Sequence, residues 1–183
     1  MDSPDVWETL ISETVADCSV FRVRRDRSRR VGDGKHGNFY VVDSPDWVNI
    51  IALTEKREVV MVEQFRHGIG DTILELPGGL IDAGEEPIAA ARRELMEETG
   101  YTAPNWELIG QSHPNPAIQS NTIFHFLSVA SRQTKEPSFD PNESLITRLI
   151  PLNDIKALLL DGQTRHSLVV AAFAYYWAAF PND

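Results

Sequence analysis

The chain has 183 residues, 42% of them hydrophobic and 24% charged, and a formal net charge of −10. That size and balance suit one soluble globular domain, residues 1–183, with a sizeable core. The acidity argues against non-specific nucleic-acid binding and against an anionic membrane surface, and the single cysteine, Cys18, excludes an intramolecular disulfide.

Taken in order, Trp7–Ala16 and Cys18–Arg25 carry β-branched and aromatic residues and predict two strands of an N-terminal hairpin. Arg22, Arg24, Arg25, Arg27, Arg29 and Arg30 form a basic run in an acidic protein. It reads as a solvated edge strand and loop, where charge discourages edge pairing, in preference to a phosphate- or partner-binding patch. Val31–Gly37 predicts a turn and Asn38–Val42 a strand; Trp47–Thr54 and Glu58–Arg66 predict an apolar meander, and Thr72–Leu76 a short strand. Further on, Trp106–Gln111 and Thr122–Val129 predict strands around the loop Ser112–Asn121, and Glu143–Pro151 a last strand. Asn153 is placed to cap a short helix over Asp154–Leu160. Thr164–Phe180 predicts a strongly apolar final helix, shorter than the ~20 residues of a membrane span, so it is expected to pack in the core. No segment reads as a signal peptide or a transmembrane helix, and a cytoplasmic location is expected.

One stretch carries chemistry. Pro77, Gly78, Gly79 and Gly84 read as turn residues ahead of a helix that starts near Pro87 and stops at Gly100. Ile88, Ala91 and Leu95 fall on one apolar stripe; Glu94, Glu97 and Glu98, spaced i, i+3, i+4, share the neighbouring face. Three carboxylates on one face repel each other unless a cation sits among them. Hard oxygen ligands suit Mg²⁺ or Mn²⁺, which also bind substrate phosphates. A solvated acidic face is the plainer alternative.

The spacing of the whole stretch resembles the Nudix box, G-x5-E-x7-R-E-U-x-E-E-x-G-U with U apolar. Gly79, Glu85, Arg93, Glu94, Leu95, Glu97, Glu98 and Gly100 fill its positions, and only Tyr101 departs, being aromatic where the pattern prefers an aliphatic. Trp47-Val48-Asn49, Glu63-Gln64-Phe65-Arg66, Leu74–Gly79 and the prolines Pro114 and Pro116 resemble the ADP-ribose pyrophosphatase-like branch of that family. The loop His113–Asn121 lacks the glutamate this branch often carries after its proline.

The resemblance implies an α/β Nudix fold, a mixed β-sheet sandwiched between helices. It implies a homodimer in which the N-terminal strands, about residues 6–43, take part. It implies metal-dependent hydrolysis of a nucleoside diphosphate sugar, with ADP-ribose going to AMP and ribose 5-phosphate. GDP-mannose, a dinucleoside polyphosphate, a nucleoside triphosphate, or a non-catalytic nucleotide-sensing module are the alternatives. By resemblance, Glu94 and Glu98 are metal ligands, joined by the Gly78 carbonyl, and Glu97 is a third ligand or a base. Arg93 orients the carboxylates, with Glu85 as its partner; Gly79, Glu85 and Gly100 shape the box. Glu143 is the leading candidate for an assisting base and Asp140 the second. Arg66 is a candidate for the substrate diphosphate, its guanidinium fork matching phosphate geometry. Glu75 would meet a ribose or base, or pair with an arginine, and Pro116 would border the substrate. Trp47 reads as a core residue ahead of a base-stacking one, and His67, His113, His125 and His166 read as structural.

Overall fold

The computed structural model describes residues 4–139 and 144–182. Two compact units stand out, one running through Pro45 and including His113–Asn121, the other comprising Asp46–Ser112 and the chain from Thr122 onward.

In the first unit, β1 (Trp7–Asp17), β2 (Arg22–Arg30) and β3 (His36–Asp43) form an antiparallel sheet in the order β1-β2-β3. The predicted hairpin is therefore a three-stranded meander, and its second strand starts at Arg22 rather than Cys18. The basic run is the central strand, not an edge. Its arginines face acids on the neighbouring segments: Arg25 meets Glu13, Arg29 meets Glu8, and Arg24 meets Asp43. Cross-strand pairs of opposite charge let so many arginines lie in mid-sheet, each exposed pair adding little. One edge of this sheet, β1, is exposed throughout and slips register twice, which interrupts a regular edge. The segment His113–Asn121 joins this unit through the Val42 N–H, which donates to the Ile118 carbonyl at 2.7 Å.

The second unit contains β4 (Trp47–Thr54), β5 (Glu58–Arg66), β6 (Asp71–Glu75), β7 (Gly78–Leu80), α1 (Pro87–Thr99), β8 (Tyr101–Thr102), β9 (Asn105–Ser112), β10 (Ile123–Gln133), β11 (Leu145–Pro151), α2 (Ile155–Leu160) and α3 (Ser167–Ala179). The strands make one mixed sheet along β11-β5-β4-β10-β8, with β6 on β5, β7 on β4 and β9 on β10. β4 and β10 run parallel; the other pairs are antiparallel.

The alternation of β4 sets the layers. Val48, Ile50 and Ala52 pack with Ala90, Ala91 and Leu95 of α1. Ile51 and Leu53 point the other way, into a cluster with Ile155 of α2 and Val169, Ala172, Phe173 and Tyr176 of α3. Both faces of β4 are thus covered, which explains why it is apolar but for Asn49 between Val48 and Leu53. Leu95 is fully buried; truncating it to Ala is expected to cost about 3 kcal/mol. This is the sandwich of helices about a mixed sheet that the box implied. No helix among the described residues is long and apolar enough to cross a membrane.

Two local expectations fail. Gly78 and Gly79 are not turn residues but part of β7, paired to Asn49 and Val48. Asn153 caps nothing: a 3₁₀ turn over Leu152–Asp154 leads directly into α2 without a side-chain cap.

Candidate active site

The site is built where β7 meets α1. Pro87 opens α1, and Gly100 ends it in the left-handed region, φ 74°, with its N–H donating to the Met96 carbonyl at 2.9 Å. A side chain there would be strained and would run into the Lys135 carbonyl. The intervening turns put Glu94, Glu97 and Glu98 on one side of the helix and Leu95 in the core. Gly79 lies against Glu94 so closely that an added Cβ would collide with its carboxylate. Absence of a side chain lets the helix face touch the strand backbone.

Arg93 is the hub. Its Nε and Nη2 donate to the two oxygens of Glu85 at 3.0 and 2.9 Å, Nη1 donates to Glu94 at 2.8 Å and Glu97 at 3.2 Å, and Nη2 also reaches the Leu80 carbonyl at 2.9 Å. One guanidinium thereby joins the loop, β7 and α1. Glu85 accepts further from the Asp82 N–H at 3.1 Å, which fixes the loop before the helix. The Arg93 hydrogen bonds hold the Glu85 carboxyl below its ordinary range against the opposing effect of burial. Glu85, first among the carboxylates, raises the pKa of Arg93. Glu98, 5% exposed, accepts from the Gly78 N–H at 3.0 Å.

The donors fit a hard divalent cation: Glu94 and Glu98 offer carboxylate oxygens against a glycine backbone, and one guanidinium bonds three carboxylates, so negative charge is in excess. Among the described residues no three His, Cys, Asp or Glu side chains already stand at metal-ligand spacing. Glu94 and Glu97 are turned into Arg93, and Glu98 into Gly78.

Beside this array lies a cavity of about 320 Å³, whose lining includes Trp47, Asn49, Gly78, Gly79, Arg66, Glu75 and His166. Arg66 forks onto Glu75, with Nε and Nη2 each 2.7 Å from a carboxylate oxygen. Glu75 is thus paired with an arginine, the plainer of its two expected roles, and Arg66 is not merely an exposed strand end. Trp47 is half-buried and lines the cavity; its indole N–H is buried with no hydrogen-bond partner among the described residues. Asn49 donates to the Leu168 carbonyl at 2.9 Å, which fixes its amide; the same nitrogen faces His125 Nδ1 at 3.4 Å, and Ser112 Oγ lies 2.8 Å from Nε2. Burial lowers the pKa of His125 to about 4.

Pro116 is exposed in the other unit. Glu143 and Asp140 lie outside the described residues. The sequence reading missed Asn49 and His166 as cavity residues. A lone Asn in the apolar run of β4 was a signal for the first; His166, at the cap of a helix, carried none.

The family profile described as NUDIX domain matches residues 44–173. The chain is 32% identical over 167 residues to an ADP-ribose pyrophosphatase of Mycobacterium tuberculosis, covering 90% of this chain and 80% of that one. It is 31% identical over 144 residues to an ADP-ribose pyrophosphatase of Bacillus subtilis, covering 78% of each. A crystal structure of an ADP compounds hydrolase superposes with a TM-score of 0.85 over 100% of this chain and 99% of that chain; at 22% identity it shows the fold alone. The profile spans most of the chain, including the whole β7–α1 array, and the chain belongs to the Nudix family as a Nudix hydrolase.

Proposed function

We propose that the chain hydrolyses the diphosphate of a nucleoside diphosphate sugar, ADP-ribose giving AMP and ribose 5-phosphate. The observation that carries the chemistry is the array of Glu85, Glu94 and Glu97 gathered by Arg93, with Glu98 against Gly78. The choice of ADP-ribose is supported by the identity over most of the chain to two ADP-ribose pyrophosphatases.

Glu94 and Glu98, with the Gly78 carbonyl, would hold Mg²⁺ or Mn²⁺, and Glu97 serves as a further ligand or as the base. The bound cation neutralises diphosphate charge and acidifies water. Arg93 orients Glu94 and Glu97, and Glu85 anchors Arg93. A water oxygen bonds to one phosphorus, a carboxylate takes its proton, and the bridging oxygen leaves with the other phosphate. Glu143 remains a candidate for that base, and Arg66 meets the phosphates from the cavity wall. Pro116 is assigned to substrate contact by resemblance.

We assign the whole chain to one working domain and to a homodimer acting in the cytoplasm. Exposed Leu10, Ile11 and Val15 on β1 support self-association through the N-terminal strands. A monomer mass in solution at assay concentration overturns the dimer. A phosphatase-coupled panel of ADP-ribose, GDP-mannose, dinucleoside polyphosphates and nucleoside triphosphates, with Mg²⁺ and with Mn²⁺, tests the substrate. Preference for ADP-ribose is expected; preference for a triphosphate contradicts the reading.

A further inference from the structure

We infer that His166 and Glu75 form a subsite for one sugar hydroxyl of the ligand, an inference that rests on the nucleoside diphosphate sugar reading. His166 precedes α3, and its Nδ1 accepts the Leu168 N–H at 3.1 Å. Nδ1 is therefore the acceptor of the ring, and in the neutral imidazole the proton sits on Nε2. Burial, first among the influences, lowers the pKa of this histidine and favours that neutral form.

Nε2 lies 3.9 Å from Glu75 Oε2. That is too far for a direct hydrogen bond, but one oxygen lying beside the pair, on the cavity side, reaches both at about 2.8 Å. The two ends differ in kind. The imidazole N–H only donates; the carboxylate only accepts. A hydroxyl satisfies both at once, accepting from Nε2 and donating to Oε2. A phosphate oxygen has no proton to give and would meet the Glu75 charge. Glu75 is 3% exposed and held by the Arg66 fork, so its oxygens are fixed in advance. His166 is fixed by its cap contact. Both residues line the cavity beside the carboxylate array, and a donor and an acceptor held in fixed positions favour a ligand whose hydroxyl is placed to meet both.

The replacement His166→Asn separates the two duties of the ring. Asn is among the preferred helix caps, so the Leu168 N–H keeps an acceptor, while the shorter side chain withdraws the donor from the gap. Steady-state kinetics with Mg²⁺ are measured for wild type and variant on ADP-ribose and on analogues each lacking one ribose hydroxyl. For wild type, kcat/KM falls about tenfold on one of these analogues. The variant loses about the same factor on ADP-ribose, mainly through KM, and nothing further on that analogue. Equal loss on every substrate, or no loss on ADP-ribose, overturns the subsite. The wild-type arm stands if the variant does not fold: indifference to every ribose hydroxyl overturns the subsite while leaving the hydrolase reading intact. A wild type that turns over no nucleoside diphosphate sugar overturns both.

Discussion

Removing Arg93 tests the hub of the site. Arg93→Ala deletes the fork to Glu85, the bonds to Glu94 and Glu97, and the tie to the Leu80 carbonyl. Arg93, Glu85 and Glu94 side chains are 29%, 17% and 14% exposed, so these contacts are partly screened, and the half-exposed Glu97 contributes least. Charge-assisted hydrogen bonds at such sites stabilise by about 1.5–3 kcal/mol each before screening and non-additivity. A net loss of about 3 kcal/mol is expected, which lowers the melting temperature by about 9 °C for a chain of this size. Turnover should fall roughly a hundredfold or more, because Glu94 and Glu97 lose their orientation. The variant also leaves three carboxylates without their shared cation, so added Mg²⁺ should raise its melting temperature more than it raises that of wild type. Thermal melts with and without Mg²⁺, alongside ADP-ribose turnover, measure all three. A melting temperature within about 2 °C of wild type, with turnover retained, refutes the hub.

Two glycines of the box separate chemistry from stability. Gly79→Ala pushes on the end of the flexible Glu94 side chain, so turnover should drop by about two orders of magnitude with little change in melting temperature. Gly100→Ala meets the Lys135 backbone at a positive φ and should cost about 2–3 kcal/mol of stability; the reverse ordering in thermal melts contradicts both assignments. His125 gives a pH dependence. Burial lowers its folded pKa to about 4 from the ordinary 6.5, so between these values the unfolded chain binds more protons and stability rises with pH. Denaturant titrations should show stability at its plateau above pH ~6.5 and about 3 kcal/mol lost from this group on descending to pH ~4. A His125→Gln variant should flatten that slope, and an unchanged slope contradicts the buried neutral ring.

The box carried its geometry in plain view because its spacing is local. Glu94, Glu97 and Glu98 share a face whatever else the chain does, and Pro87 and Gly100 bound the helix by their own backbone limits. The layers came from the resemblance of the box and its flanking segments, and the apolar run of β4, covered on both faces, agrees with them. What stayed hidden depends on distant partners. The basic run looks like an edge until Glu8, Glu13 and Asp43 are brought beside it. Gly78 and Gly79 look like turn residues because composition does not distinguish a bend from a close approach. The cavity wall joins residues far apart in sequence: Glu75 and His166 meet through the docking of the segment before α3, and no periodicity announces that.

The most direct test of the central claim compares AMP formation from ADP-ribose by wild type and Glu98→Gln, with Mg²⁺, at matched folded protein. Glu98 touches the Gly78 N–H and carries the charge assigned to the cation. The account predicts AMP and ribose 5-phosphate in equal amounts from wild type, and a variant of similar melting temperature whose turnover is lower by orders of magnitude. Near-normal turnover in Glu98→Gln, or no AMP from wild type with any divalent cation, contradicts it.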